Sequence, residues 1–285
     1  MNEFACQFGE QNHLNGVFTR PGEFTPAKPM VVLVTAGFTP KSGPFRLYTL
    51  LARTIAGMGL AALRFDLGGI GNSEQIDVST PLKVRTRCDI NAALDYLQGQ
   101  YGCEQFILCG LCSGAEDSFR YAESDVRVKG VALIDPHAYI TKGWHLKRVF
   151  SRYFLNRIIN KLVRSLGVSP LVTAANNDNK NQAGSGGDLI DYQYMEHAES
   201  SRILCALIER GTRLHYLYTG GAIDTFNHKG QFRKMFPGID FKGLVTLSHI
   251  PHIEHTQVFE QDRREVIDTF SDWLSSCFQA ELAAG

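Results

Sequence analysis

The stretch that most limits how this chain folds is Cys109-Gly110-Leu111-Cys112-Ser113-Gly114-Ala115, which follows the apolar residues Phe106-Ile107-Leu108. A strand that turns at once into a helix forces the residue at the corner into a strained conformation. Crowding around that corner demands glycine two places before it and two places after it. Gly110-x-Cys112-x-Gly114 meets the demand, and it has the form of the nucleophile elbow G-x-S-x-G with cysteine at its centre. Ser113 fails the same steric test, because Leu111 and Ala115 occupy its flanking places. Its backbone N–H still follows the nucleophile directly, where an oxyanion donor is expected.

The rest of the chain supplies the elements such a corner needs. Strands are expected over 4–8, 16–20, 30–35, 61–65, 128–134, 214–218 and 241–247, with helices over about 45–58, 81–98, 194–210 and 263–278. Met30 to Thr35 is a continuous apolar and β-branched run suited to a strand buried on both faces of a parallel sheet. Alternation of strands and helices without repeats predicts an α/β architecture with a mostly parallel, doubly wound sheet. It breaks between 137 and 201, where a basic helical stretch precedes a polar Asn- and Gly-rich tract at 176–188. Residues 1–136 and 202–285 are therefore read as the core, and 137–201 as a helical cap or lid insertion with a mobile 176–188 loop.

Composition removes several function classes. The 285 residues carry 29 basic and 29 acidic side chains, a formal charge of zero, which argues against a nucleic-acid partner. No apolar run approaches the 18 or more residues of a membrane span, and Met1 to Cys6 lacks a signal-peptide pattern. Seven scattered cysteines suit reduced thiols, and the expected location is cytoplasmic. The oligomeric state is left open.

A cysteine nucleophile needs a base to form thiolate, and the base needs a carboxylate to fix its tautomer. Open α/β sheets place such groups at the carboxyl ends of strands. Asp224, after the strand ending at Tyr218, is the expected acid, with Asp135 after the preceding strand as its rival. His255, between the last strand and the last helix, is the expected base, with His252 as its rival. The backbone N–H groups of Phe38 and Ser113 are the expected oxyanion hole.

Ala36-Gly37-Phe38 with Gly43-Pro44-Phe45-Arg46-Leu47-Tyr48, then Leu63 to Glu74, the elbow, Leu133-Ile134-Asp135-Pro136 and Ile253-Glu254-His255-Thr256 resemble bacterial α/β-hydrolases. The similarity is closest to the serine-aminopeptidase-like group that includes hydrolases encoded beside exosortase systems. It covers the sheet at both ends of the chain and fails across 137–201. The resemblance implies the α/β-hydrolase fold and carries Cys112, Asp224 and His255 over as the triad.

Other motifs read differently. Cys109 and Cys112 form a C-x-x-C, but Cys109 falls in the strand, which disfavours a redox pair. His249, His252 and His255 stand three apart, yet Pro251 makes this a loop without further ligands, so no metal is expected. Gly69-x-Gly71 lacks the third glycine of a dinucleotide fingerprint, and no cofactor is expected.

The chemistry predicted is hydrolysis of an acyl ester or thioester through an acyl-cysteine. Acyl transfer to an amine or alcohol is the alternative, because an acyl-cysteine is itself a thioester. A non-catalytic hydrolase-fold binding protein is the reading from another class. Lys142, Lys147, Arg148, Arg152, Arg157, Lys161 and Arg164 form a basic run without acidic residues, either a solvated face or a dock for an acyl carrier protein or the phosphates of CoA, with a membrane surface third. Its apolar side is expected to roof the pocket.

Overall fold

The computed structural model describes residues 1–77, 79–150, 194–279 and 282. Its frame is an eight-stranded sheet in the order β1-β2-β4-β3-β5-β6-β7-β8. The strands are β1 (Asn2–Phe8), β2 (Leu14–Arg20), β3 (Met30–Val34), β4 (Ala62–Phe65), β5 (Phe106–Leu111), β6 (Val128–Ile134), β7 (Arg213–Thr219) and β8 (Val245–Ile250). β2 runs antiparallel to β1 and β4, and every other pairing is parallel. This is the mostly parallel, doubly wound sheet that the alternation predicts.

Strand periodicity divides the core between two faces. On one face Val32, Val34, Leu108 and Leu133 pack with apolar residues of α2 (Leu82–Tyr101), α3 (Ser113–Ser124) and α5 (His197–Glu209). On the other, Val31, Leu33, Ile107 and Cys109 pack with α1 (Leu47–Gly57) and α7 (Glu260–Cys277), whose stripe Val266, Ile267, Phe270, Trp273 and Leu274 is buried as expected. Both faces of the central strands are thus covered, which accounts for their nearly unbroken apolar sequence. Among the described residues the remaining α-helices are α4 (Lys142–Phe150) and the short α6 (Gly230–Met235).

The last strand differs from its predicted span of 241–247. Leu244 N–H donates to the Phe241 carbonyl at 2.8 Å, and Gly243 has φ +71°, so 241–244 is a turn. The strand then continues through the polar pair Ser248-His249 to Ile250. Its pairing to β7 requires that continuation, since Tyr218 and Thr219 align with His249 and Ile250.

Of the expected 137–201 insertion, α4 and the first turn of α5 are described. Ala138 and Met195 are buried in the core with residues of α3. The basic run from Arg152 onward, the apolar face expected to roof the pocket and the 176–188 tract lie outside the described residues.

Candidate active site

The elbow forms as the glycine spacing requires. Cys112 sits between β5 and α3 with φ 55° and ψ −120°, a conformation strained for any residue with a side chain. A Cβ on Gly110 would lie 2.2 Å from the Gly114 carbonyl oxygen, and one on Gly114 would lie 2.5 Å from that of Val34. Neither position admits alanine without backbone movement. The Cys112 carbonyl accepts the N–H groups of Ala115 and Glu116, so the cysteine stands as the N-cap of α3.

Buried polar contacts hold this corner in place. The Tyr48 hydroxyl accepts the Leu111 N–H and donates to the Val34 carbonyl, both at 2.9 Å, pinning the end of β5 to the end of β3. The Gly37 N–H donates to Ser113 Oγ at 3.0 Å and ties the loop after β3 to the first residue of α3. The two expected oxyanion donors, the N–H groups of Phe38 and Ser113, belong to the segments so joined. Sequence reading missed both contacts. Tyr48 was visible as a polar residue in an apolar helix face, whereas the Ser113 hydroxyl gave no signal beyond its position.

His255 lies in the loop between β8 and α7, and its Nδ1 is 2.8 Å from Asp135 Oδ2. The partnership predicted with Asp224 is corrected here: the carboxylate that meets His255 is the one after β6. Asp224 is 89% exposed at its side chain and faces Arg148 of α4 at 3.7 Å. The physical cause is the glycine pair that follows β7. A Cβ on Gly221 would fall 2.3 Å from the His255 Cβ, and one on Gly220 would fall 2.3 Å from the Pro251 carbonyl oxygen. The histidine loop therefore lies directly on a backbone without side chains and reaches across β7 to β6. The short 3₁₀ turn Gly220–Ala222 then carries Asp224 outward.

Asp135 is buried and held by several hydrogen bonds. Its side chain is 1% exposed. Its Oδ1 accepts the Thr219 N–H at 2.6 Å, and its Oδ2 accepts the Thr219 hydroxyl at 2.6 Å besides His255 Nδ1. Its φ of 47° aims the side chain back over the sheet, a backbone region that aspartate tolerates better than most residues. β6 also lies next to β5, and the Cys112 N–H donates to the Ile134 carbonyl at 2.8 Å, so Asp135 directly follows a strand end that is hydrogen-bonded to Cys112. Thr219 was the missed signal, a hydroxyl at the carboxyl end of β7.

Hydrogen bonding to Asp135 and then to Cys112 outweighs desolvation and raises His255 to about 10. Nδ1 is committed to Asp135, which leaves Nε2 as the nitrogen that serves Cys112. Cys109 is different. It is fully buried in β5, and desolvation pushes its thiol up to about 12, while all seven cysteines are free. The spacing of three histidines also dissolves into three separate contacts: His255 meets Asp135, His252 Nε2 meets Glu265 at 2.8 Å, and the ring of His249 stands edge-on to Phe226 at 5.2 Å. His252, the rival base, is thus turned to the surface of α7.

The Gly-rich turn after β4 is a structural anchor. Asp66, fully buried, accepts the Lys41 N–H and Nζ at 2.5 Å and the Asn72 N–H at 2.9 Å. A Cβ on Gly71 would collide with that carboxylate at 2.5 Å, and the next helix, α2, begins only at Leu82.

A cavity of about 260 Å³ opens on Cys112, Asp135 and His255, with Tyr194, Gly221 and Thr225 among its walls. A larger cleft of about 860 Å³, between α2 and the β1–β2 turn, contains none of these three.

Comparison with known proteins establishes the fold. No protein-family model and no curated protein matches the chain. It is similar in structure to an α/β hydrolase from Penicillium sp. sh18, with a TM-score of 0.61 and 15% identity, covering 97% of this chain and 99% of that one. An esterase from Pyrococcus furiosus gives a TM-score of 0.59 at 12% identity, over 96% and 91% of the two chains. An α/β serine hydrolase without lid from Xanthomonas campestris gives 0.55 at 13%, over 97% and 95%. The chain has the α/β-hydrolase fold.

Proposed function

We propose that this protein is an acyl-ester or acyl-thioester hydrolase that works through an acyl-cysteine. The observation that carries the reading is the chain of contacts from a strained elbow cysteine, through a histidine, to a buried and fully hydrogen-bonded aspartate. The Cys112 thiolate attacks the substrate carbonyl carbon, forming a C–S bond while the carbonyl oxygen becomes an oxyanion. Backbone N–H groups of Phe38 and Ser113 receive that charge. Collapse breaks the bond to the leaving alkoxide or thiolate, which takes the proton from His255 Nε2. His255 then removes a proton from water, whose oxygen attacks the thioester, and a second collapse releases the acid and restores the ion pair. Asp135 holds Nδ1–H throughout and stabilises the imidazolium.

Water is the default acceptor. An amine or alcohol would make the same intermediate a transferase, and a conjugate formed alongside free acid would mark that case. The finer likeness to the serine-aminopeptidase-like group associated with exosortase systems, but with cysteine at the elbow, belongs to the same proposal. So does a CoA or carrier-protein thioester as donor.

Intact-protein mass after brief exposure to acyl-N-acetylcysteamine and acyl-CoA thioesters tests the reading. An acyl adduct, or free acid where deacylation is fast, should appear with wild type and be lost in Cys112→Ala. If wild type gives neither adduct nor acid with esters and thioesters, the hydrolase proposal fails and a binding role takes its place.

A further inference from the structure

We propose that the groove next to the Cys112 cavity receives a phosphate carried by the acyl donor, as on the phosphorylated thiol arm of a CoA or carrier-protein thioester. The inference rests on the acyl-cysteine reading above and names a substrate class for it.

Three observations converge. A groove of about 770 Å³ shares His137 and Thr225 with the cavity that holds Cys112, so one extended molecule can occupy both. Its walls bring Lys142 from the start of α4 and Lys234 from α6, together with His197 and the hydroxyl of Thr141, and they include no carboxylate. More positive charge stands close by. Burial, and then Lys147 and Lys234, lower the pKa of His228, and Lys229 acts in the same sense on His249. A Cβ added at Gly143 would lie 3.5 Å from Lys234 Nζ, which puts the α6 ammonium against the first turn of α4.

Cations gathered from two helices repel one another unless something anionic balances them. Among the described residues none of these four lysines pairs with a carboxylate. Acidic groups nearby face other cations: Asp224 faces Arg148, Asp135 meets His255, and Glu116 and Glu199, which act on Tyr139 of the groove wall, both face Arg120. A concave wall of one sign focuses its field on the ligand it lines, and ammonium groups bind phosphate as point charges. The groove therefore fits an anion linked to the reacting carbonyl at some distance from it, with the acyl carbon at Cys112.

Matched donors test this. Acyl-phosphopantetheine and acyl-pantetheine differ by the phosphate alone, and acyl-CoA adds the nucleotide phosphates. In wild type the phosphorylated arm should exceed acyl-pantetheine in kcat/KM by about tenfold or more, the scale of a charge-assisted contact. In Lys142→Gln/Lys234→Gln that ratio should fall towards one. A ratio near one in wild type, or a ratio the double variant leaves unchanged, overturns the proposal while leaving the acyl-cysteine reading intact. A further gain with acyl-CoA that the variant removes identifies the free cofactor as source; equal rates for CoA and the arm identify the arm. If Cys112 is acylated by none of the donors, calorimetric binding of phosphopantetheine decides separately. A Kd at least about fivefold weaker in the double variant supports the groove, and equal Kd values, or no binding to wild type, sink it.

Discussion

The corner at the end of β5 and the acid position at the end of β6 stand side by side, joined by the bond from the Cys112 N–H to the Ile134 carbonyl. They are specified in very different ways. The corner is local: two glycines and a cysteine within five residues, each required by the collision distances around the turn. The acid is assembled from three separated segments, with Asp135 from one strand end, Thr219 from the next and His255 from a loop 120 residues away in sequence. Two aspartates satisfied the same local rule, and tertiary contact chose between them. A strained strand-to-helix corner can thus be named from its immediate neighbours, whereas the carboxylate that meets the histidine is settled by whatever the histidine loop is free to reach.

Substitutions at the corner should have the largest effect. Cys112→Ala should abolish the acyl adduct and lower turnover by about 10⁴-fold or more, which leaves at most the binding contribution of the pocket. Mass spectrometry with a radiolabelled or fluorescent thioester reads both quantities; persistent turnover in the variant would move the nucleophile elsewhere.

The acid position comes next, and here the two aspartates can be set against each other. Asp135→Asn should lower kcat/KM by about 10³- to 10⁴-fold, since it removes the charge that stabilises imidazolium and favours the wrong tautomer. Asp224→Asn, at an exposed surface pair, should change it by less than about twofold. The reverse order of effects would restore Asp224 to the triad. The same pair of variants has a pH signature. His255 is raised in the fold to about 10 from an ordinary 6.5, so its contribution to stability is complete below about 6.5 and fades as pH rises through about 10. Thermal midpoints of wild type should therefore fall between pH 7 and 10, and those of Asp135→Asn should fall less. The alkaline limb of kcat/KM should shift to lower pH in the same variant.

What was legible in the sequence follows this division. The sheet, its alternating faces and the apolar stripe of α7 could be read because periodicity and turn chemistry act over a few residues. The strained corner at Cys112 and the position of His255 after the last strand could be read for the same reason, one from steric spacing and the other from element order. The end of β8 was misplaced because the polar residues Ser248 and His249 conceal a strand that β7 pairing sustains. Asp224 was preferred because nothing in one dimension shows that Gly220 and Gly221 form a saddle under the histidine loop. The glycine pair was in plain view, but its meaning depends on what crosses it. That dependence is itself testable. Gly221→Ala should push His255 off Asp135 and cost about 10- to 100-fold in kcat, the scale of an ångström-sized misplacement, with the circular dichroism spectrum preserved. Unimpaired kcat would mean the loop has another route to β6.

A loss smaller than at the corner or at the Asp135–His255 pair, though above that at exposed Asp224, is expected between the two regions, at Ser113. Its hydroxyl accepts the Gly37 N–H and so fixes the loop bearing Phe38 relative to the helix start that bears the other expected oxyanion donor. Read with the proposed oxyanion hole, this contact makes Ser113 a positioning residue. Removal of the hydroxyl in Ser113→Ala keeps both backbone donors but lets their separation vary, and preorganisation of such donors is what makes them effective. The loss should be about tenfold in kcat, well below that of deleting a donor outright, and KM should change little because the ground-state carbonyl depends less on the hole. Ser113→Thr, which retains an acceptor oxygen, should recover part of the rate. A loss confined to KM, or no recovery with threonine, would separate this hydroxyl from the oxyanion hole and make it a fastening of the fold alone.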